Sequence, residues 1–368
     1  MSGGVDSAVA PLLLLEQGYQ VQGLFMSNWD EDDEGYCTSA EDFQDARRVC
    51  SKLGIPLHRA NFAAEYRARV FEHFLAEHRV GRTPNPDVLC NRQIKFGVCF
   101  AYARRLGAEL FATGHYARIA RTSSGYQLLK GVDGAKDQSY FLHSIDPAVL
   151  PFTLFPIGAL DKSEVRRRAR EAALPVFDKK DSTGICFIGE RPFQSFLAQY
   201  LPARSGAIES PAGHVIGRHQ GLMYYTLGQR HGIGIGGVAG GPEKPWYVAA
   251  KDLERNVLVV VQGRDHPMLL SSSFRTAALH WLTPLPTPRP VACTVRVRYR
   301  QADQPCTLDW DMHGAQVTLG TAQRAVTPGQ SAVFYDGDTC LGGAVIETVA
   351  PAQRMPARRD APALRMPI

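Results

Sequence analysis

Ser2-Gly3-Gly4-Val5-Asp6-Ser7 runs straight into an apolar segment that begins at Val9. Two adjacent glycines let the backbone turn tightly, and the apolar run begins a helix. The loop therefore points successive N–H groups at one spot in front of a helix N-terminus. An anion fits there, because the N–H groups and the helix dipole both favour negative charge. The Ser2 and Ser7 hydroxyls add donors for phosphate oxygens, and Asp6 orients either Mg²⁺ or the loop itself. No lysine stands in the loop, which excludes the G-x-x-x-x-G-K-[ST] phosphate loop. A plain Gly-Gly turn with a polar helix cap has the same letters, so the loop alone leaves both readings open.

Helical and strand patterns alternate over the first ~190 residues, which predicts βα units and a parallel sheet. Val21 to Met26 reads as a buried strand. Thr38 and Glu41 form a capping box ahead of Phe43, Ala46, Val49, Cys50 and Leu53 at helical spacing, and Gly54 and Pro56 stop that helix. Asn61 caps a second helical pattern from Phe62 to Phe74. Leu110 to Thr113 is a short strand running into Gly114-His115, and Asp161 with Glu164 caps a helix that ends before Pro175. Beyond about Pro202 glycine is frequent and short alternating runs replace helical spacing: Val257 to Val261, Val291 to Tyr299, Ala332 to Tyr335 and Ala344 to Val349. Asp336-Gly337 and Gly342-Gly343 separate some of them, which predicts a small β-barrel or sandwich. The domains expected are 1–195 (α/β, catalytic), 196–265 (small central), 270–350 (β-barrel) and a disordered tail over 351–368.

Composition narrows the function classes. With 45% hydrophobic and 21% charged residues in 368, the chain can build more than one core, and no apolar run approaches the ~20 residues of a membrane span. No signal peptide opens it, so a cytoplasmic location with reduced thiols is expected. Forty-one Lys plus Arg against 36 Asp plus Glu leave +5, so charge alone does not mark a nucleic-acid binder. The eight cysteines include no C-x-x-C pair, and His214 and His219 lack metal partners at useful spacing, so no metal site is expected. Gly232-Ile233-Gly234-Ile235-Gly236-Gly237 imitates a dinucleotide fingerprint without its strand and helix, and reads instead as a mobile loop of the central domain.

Two cysteines stand in reactive settings. In Thr83-Pro84-Asn85-Pro86-Asp87-Val88-Leu89-Cys90-Asn91-Arg92, two prolines around an asparagine fix an extended loop, and Cys90 falls close to Arg92 and Lys95. Nearby cations lower a thiol pKa, and Asp87 lies close enough to act as acid or base. Cys186 sits in Asp181-Ser182-Thr183-Gly184-Ile185-Cys186-Phe187-Ile188-Gly189, with Lys179 and Lys180 just upstream. Cys37, Cys50, Cys99, Cys293, Cys306 and Cys340 read as small buried hydrophobes.

The S-G-G-x-D-S string resembles the PP-loop of ATP pyrophosphatases. Together with T-P-N-P-D-x-L-C-N and D-S-T-G-I-C-F-I-G it resembles the tRNA-specific 2-thiouridylases, a likeness that runs from Ser2 to about Val349. That resemblance implies a loop strung behind the first strand of a parallel sheet; only Met1 precedes it here, so the expected sheet lacks its first strand. It also implies ATP contacts at Ser2, Gly3, Gly4, Val5, Asp6, Ser7, Met26 and Gly114, with ATP used together with Mg²⁺. By the same resemblance Cys90 is the nucleophile, Cys186 carries a persulfide, Asp87 is the acid or base, and Cys90 and Cys186 form a transient disulfide. The reaction implied is adenylation of the uridine 2-carbonyl oxygen at the wobble position of Lys, Glu and Gln tRNAs, followed by sulfur transfer. Its partners are tRNA, a persulfide donor protein and a reducing thiol.

Resemblance further implies tRNA contacts at Asn85, Pro86, Asp87, His115, Lys136, Asp137, Gln138, Arg298, Tyr299 and Gln330. Independently, the run Val291 to Arg300 places Arg296, Arg298 and Arg300 on one strand face, with Val295, Val297 and Tyr299 on the other. That face suits phosphates, as does a helix bearing Arg166, Arg167, Arg168 and Arg170, though both patterns also describe plain solvated surfaces. Two rivals share the residues: another PP-loop synthetase that adenylates and then adds an amine, and a catalytically impaired tRNA-binding paralogue.

Overall fold

The computed structural model describes residues 1–29, 39–180, 193–235, 244–285 and 287–351. Thr38, Cys37, Cys186, Gly236, Gly237 and the tail after Pro351 lie outside the described residues.

The α/β unit opens with α1 (Val5–Glu16), whose Val5, Ala8, Val9, Leu13 and Leu14 are buried. The expected strand at Val21 begins two residues later, as β1 (Gly23–Ser27), and pairs in parallel with β2 (Leu57–Asn61) across the crossover helix α2 (Ser39–Leu53). That helix buries Ala46, Val49 and Cys50 and exposes Arg47 and Arg48, as its spacing predicts. It stops where expected: Gly54 takes φ +68° and the Ile55 N–H returns to the Cys50 carbonyl at 3.0 Å. Asn61 Oδ1 then accepts the Ala63 N–H at 2.8 Å. This starts a continuous rod of α3 (Ala63–Tyr66), a π-helical turn (Arg67–Phe71) and α4 (Glu72–Arg79).

Next come α5 (Pro86–Leu89), a π-helical stretch (Cys90–Cys99), α6 (Phe100–Arg105), β3 (Phe111–Ala112), the hairpin β4 (Ala117–Thr122) and β5 (Gly125–Lys130), α7 (Ser139–Leu142), β6 (Thr153–Leu154) and α8 (Lys162–Glu171). β3 pairs in parallel with β6. Within the α/β unit the described parallel strands thus form two pairs, β1–β2 and β3–β6, in place of one continuous sheet. Asp161 stands at the N-cap of α8 but its side chain makes no capping bond. Asp133 Oδ2 accepts the Lys162 N–H at 3.0 Å instead, and Glu164 pairs with Arg167 and Arg168 on the surface.

After α9 (Phe193–Ala198) the central unit has β7 (Gly206–Glu209), β8 (Val215–His219), β9 (Trp246–Asp252) and β10 (Val257–Gln262), in the order β8-β7-β10-β9. Gly232 and Gly234 both adopt positive φ, and Ile233 between them is buried in this unit's core, which is a turn and no dinucleotide loop.

The last unit contains β11 (Leu270–Thr276), β12 (His280–Trp281), β13 (Val291–Arg296), β14 (Gln304–Trp310), β15 (Ala315–Arg324), β16 (Ser331–Asp336) and β17 (Thr339–Pro351). The path β11-β15-β14-β13-β16-β17 returns to β11, so six strands close into a barrel without free edges. Thr339 of β17 also pairs with Leu129 of β5, which lays the β4–β5 hairpin against the barrel.

Two expectations fail in the barrel. Gly342-Gly343 does not separate strands but lies inside β17. A Cβ at Gly342 (φ +133°) would come within 2.0 Å of the His280 carbonyl oxygen, so glycine there admits β12. The run from Val291 leaves the sheet after Arg296, and Arg298, Tyr299 and Arg300 occupy the turn that follows, with Arg300 at φ +62°. The three arginines therefore share no strand face, although Val295 and Val297 are both buried.

Candidate active site

The glycine loop is held by contacts that only glycine permits. Gly3 takes φ +73°, and a Cβ there would meet the Asp42 carbonyl oxygen at 2.5 Å. Gly4 caps α1 with extended backbone. The Ser2 N–H and hydroxyl both donate to Ser7 Oγ, at 3.1 and 3.0 Å, and the Ser7 hydroxyl donates to the Gly4 carbonyl. Asp6 accepts from Lys162 Nζ at 2.7 and 2.8 Å and from the Tyr116 hydroxyl at 2.8 Å. Of the two roles open to Asp6, these contacts supply the bracing of the loop. Gly114, at the end of β3, lies against the same turn: a Cβ there would be 2.8 Å from Asp6 C and Ser7 N. The loop thus sits at a helix N-terminus, packed against the Asp42 backbone on one side and Gly114 on the other, and a side chain at Gly3 or Gly114 would clash with backbone.

Cys90 is positioned by its own short helix. Asn85 Oδ1 accepts the Asp87 N–H at 3.1 Å and Pro86 takes the first helical position, which starts α5. Cys90 then opens the π-helical stretch, only 2% exposed, in a core with Tyr66, Phe71 and Ile94. Met26 of β1 packs on the edge of this core. Asn28, just past the end of β1, places Nδ2 4.0 Å from Cys90 Sγ. In an i→i+5 helix Lys95 stands one turn from Cys90. Its charge acts on Asp87, Cys99 and His115 alike. Burial raises the Asp87 carboxyl pKa, and Lys95 opposes that shift in part. Arg92 is exposed.

The loop and the Cys90 helix meet through His115. Its ring lies 6.0 Å from that of Phe96, on the Cys90 helix, while the neighbouring Gly114 abuts Asp6 and Ser7. Cys186 lies outside the described residues. Phe193, beyond that segment, packs on Phe74 and His78 near Cys90's core.

Most residues assigned to tRNA sit at joints between the units. His115 is buried, with Nδ1 2.8 Å from Thr113 Oγ1, and burial holds its pKa well below the usual value. Asp137 is buried too, accepting from the Gly131 and Ser139 N–H groups, the Ser139 hydroxyl and Arg296. Gln138 Oε1 accepts the Tyr116 N–H at 3.0 Å, which braces the residue that holds Asp6. Arg298 Nη2 donates to the carbonyls of Leu227 and Ala325 and to Thr327 Oγ1, at 2.7 to 3.0 Å. Tyr299 packs on Phe141, with ring centroids 4.5 Å apart, and Gln330 Nε2 donates to the Thr83 carbonyl at 2.7 Å. Lys136 is half-buried. The Thr83–Asp87 segment is thus clamped by the barrel turn, where the Thr83 N–H also reaches the Pro328 carbonyl.

Three residues of the site escaped sequence reading: Asn28, Tyr116 and Lys162. Asn28 had a signal, since it follows a predicted parallel strand at its carboxyl end, where such sheets bind ligands. Lys162 had none; it reaches Asp6 from 156 residues away.

Comparison with known proteins agrees with this division. Residues 1–190 match the family model described as tRNA methyl transferase HUP domain, 194–262 the tRNA methyl transferase PRC-barrel domain, and 271–346 the aminomethyltransferase beta-barrel domain. Among relatives, the chain is 58% identical to a tRNA-specific 2-thiouridylase MnmA of Stutzerimonas stutzeri over 95% of its own length and 94% of the relative's. It is equally similar to proteins of the same name from Pseudomonas fluorescens SBW25 (97% and 96% covered) and Pseudomonas aeruginosa UCBPP-PA14 (95% and 93%).

Proposed function

Since the chain belongs to the tRNA-specific 2-thiouridylase family, we propose that it catalyses ATP-dependent 2-thiolation of the wobble uridine in Lys, Glu and Gln tRNAs. A uridine 2-carbonyl is a poor electrophile. ATP adenylates its oxygen, pyrophosphate departs, and AMP becomes the leaving group. The backbone cradle at Ser2–Ser7 receives the phosphates, with Met26 and Gly114 beside the nucleotide. Magnesium would be carried by the ATP phosphates, since Lys162 and Tyr116 hold Asp6. Asp87 handles the proton at the base. A persulfide on Cys186, loaded by a donor protein, supplies the sulfur, which attacks directly or is freed by Cys90. The Cys90–Cys186 disulfide left behind is reduced by an external thiol.

The observation that carries this reading is the approach of Gly114 to Asp6 and Ser7 while its neighbour His115 packs on the Cys90 helix. It brings the helix that bears Cys90 towards the glycine loop, which supports reading the two as parts of one site. Methyl transfer, which two family-model descriptions name, needs neither part. The test is thiolation of tRNA with ATP and a persulfide donor. Cys90→Ser and Cys186→Ser should each abolish it while tRNA binding persists. Full thiolation by either variant sinks the two-cysteine mechanism. ATP consumption without thiolation by the unaltered chain points to an amine-adding synthetase, and tRNA binding alone to an impaired paralogue.

A further inference from the structure

Cys293 on β13 and Cys306 on β14 are direct partners in the antiparallel ladder, and their Sγ atoms stand 3.6 Å apart. Directly opposed residues in such a ladder have Cα atoms about 4.5–5.5 Å apart, within the roughly 4.4–6.8 Å that a disulfide spans. Joining the two sulfurs therefore needs side-chain rotation and no backbone movement. Cys50, Cys99 and Cys340 are all buried, whereas Cys293 is half-buried and reachable from solvent.

We propose that Cys293 and Cys306 form a dithiol that is oxidised to a cross-strand disulfide by low-molecular-weight disulfides. The two thiols have unequal roles. The two thiols share one hydrogen bond in which either can be the donor; it lowers the Cys293 pKa and raises that of Cys306, and Cys293 is the more exposed of the two. Cys293 is thus the thiolate that attacks, and Cys306 the thiol that resolves. Cys293 Sγ attacks one sulfur of the small disulfide and releases its first thiolate. Cys306 then loses its proton to solvent and attacks Cys293 Sγ, which releases the second thiolate. Two electrons pass from the protein thiols to the small disulfide, and two protons end on the released thiols.

What this bond would close gives it consequence. The segment 294–305 contains Arg296, which pairs with Asp137, Arg298, which bonds the Leu227 carbonyl, and Asp303, which pairs with Lys130. It also contains Tyr299, packed on Phe141. This hairpin docks the barrel on both other units, and a disulfide at its base would hold it shut.

The test treats the full chain with glutathione disulfide, blocks remaining thiols by alkylation after unfolding, and maps the peptides. The expected product links Cys293 to Cys306 and is reversed by dithiothreitol, while Cys50, Cys99 and Cys340 stay alkylatable. Cys306→Ser should trap glutathione on Cys293, whereas Cys293→Ser should leave Cys306 reduced. In the oxidised chain, amides of 297–303 should exchange more slowly by about tenfold or more. Glutathione held on Cys293 of the unaltered chain without closure, or Cys293 left unmodified in the Cys306→Ser variant, overturns the proposal.

Discussion

Arg296 of the barrel donates through Nη1 to Asp137 Oδ2 of the α/β unit at 2.6 Å, and the Asp137 side chain is wholly shielded from water. Around this pair the charges alternate. Arg296 Nε reaches Asp303 at 2.6 Å, Lys130 Nζ pairs with the same carboxylate, and both cations lie over the Tyr335 ring. Removing one member of a buried pair leaves the other's charge uncompensated, at a cost of about 3–5 kcal/mol.

Arg296→Ala should therefore lower chain stability by about that amount and loosen the barrel from the α/β unit. Denaturant melting and limited proteolysis at the unit boundary are the measurements. Adding Asp137→Asn to Arg296→Met should recover part of the loss, because the unpaired charge is gone while the amide oxygen still accepts from the Gly131 and Ser139 N–H groups. A barrel that stays docked in the single variant would mean the pair contributes little.

Arg298 makes a sharper case, because two roles predict different numbers. As a phosphate contact its removal would weaken tRNA binding equally for all tRNAs and flatten the salt dependence by about one unit of slope. As the brace between Leu227 and Ala325 its removal would leave the Leu227 carbonyl without this donor, at about 1–3 kcal/mol, while the Thr327 hydroxyl still donates to the Ala325 carbonyl. Arg298→Ala should lower the melting temperature as well as tRNA affinity. Loss of affinity with unchanged melting would return Arg298 to the purely electrostatic role.

Asp87 is half-buried with its carboxyl pKa raised. Ionised Asp87 thus costs stability: the protonated form is favoured below the unfolded pKa, and that advantage is lost as pH rises through the folded value. Asp87→Asn should melt higher than the unaltered chain near neutral pH, and the difference should vanish below about pH 4. Asp87→Ala should slow thiolation by about 10²–10⁴-fold with tRNA affinity retained. An effect confined to affinity would make it a positioning residue.

His78 and His143 are both buried, and burial lowers each pKa to about 4. The unfolded histidines protonate near 6.5, so between about 6.5 and 4 the unfolded chain binds more protons. Stability present above that window should fall as pH drops through it, by up to about 1.4 kcal/mol per pH unit for each histidine. Denaturant midpoints taken across the window should slope accordingly. His78→Phe should remove one histidine's share of the slope, with His143 and the likewise buried His115 still contributing; an unchanged slope would assign it to other groups.

What was legible in the sequence was local. The tight turn into a helix at Gly3-Gly4, the stop of α2 at Gly54, the Asn61 cap and the Asp336-Gly337 turn each depend on residues within a few positions of one another, and their local geometry stands as read. What is not legible there involves distant partners. Lys136-Asp137-Gln138 is a polar stretch, yet Asp137 is buried by an arginine 159 residues away. The valine–arginine alternation continues past Arg296 although the ladder does not, because Arg298 finds carbonyls at 227 and 325. Gly342-Gly343 has the composition of a turn; only the approach of β12 explains it as strand. Cys293 and Cys306 each read as buried hydrophobes, and their facing positions come from the register of β13 and β14.

Lys162 bears on the phosphate loop itself. Its side chain is 12% exposed and Nζ donates to both oxygens of Asp6, with the Tyr116 hydroxyl adding a third donor. Lys162→Ala would leave the Asp6 carboxylate at the mouth of an anion cradle with one hydroxyl donor. Two effects then act against ATP: the loop loses a brace, and an under-compensated negative charge faces the incoming phosphates. Charge-assisted hydrogen bonds of this kind contribute about 1.5–3 kcal/mol, which corresponds to roughly 10- to 100-fold in affinity. Titration of ATP binding should show a loss in that range, with the fold intact by melting. Asp6→Asn in the Lys162→Ala background should restore part of the affinity, since it removes the offending charge without removing the side chain. If the double variant binds no better than Lys162→Ala alone, Lys162 acts on ATP directly and not through Asp6.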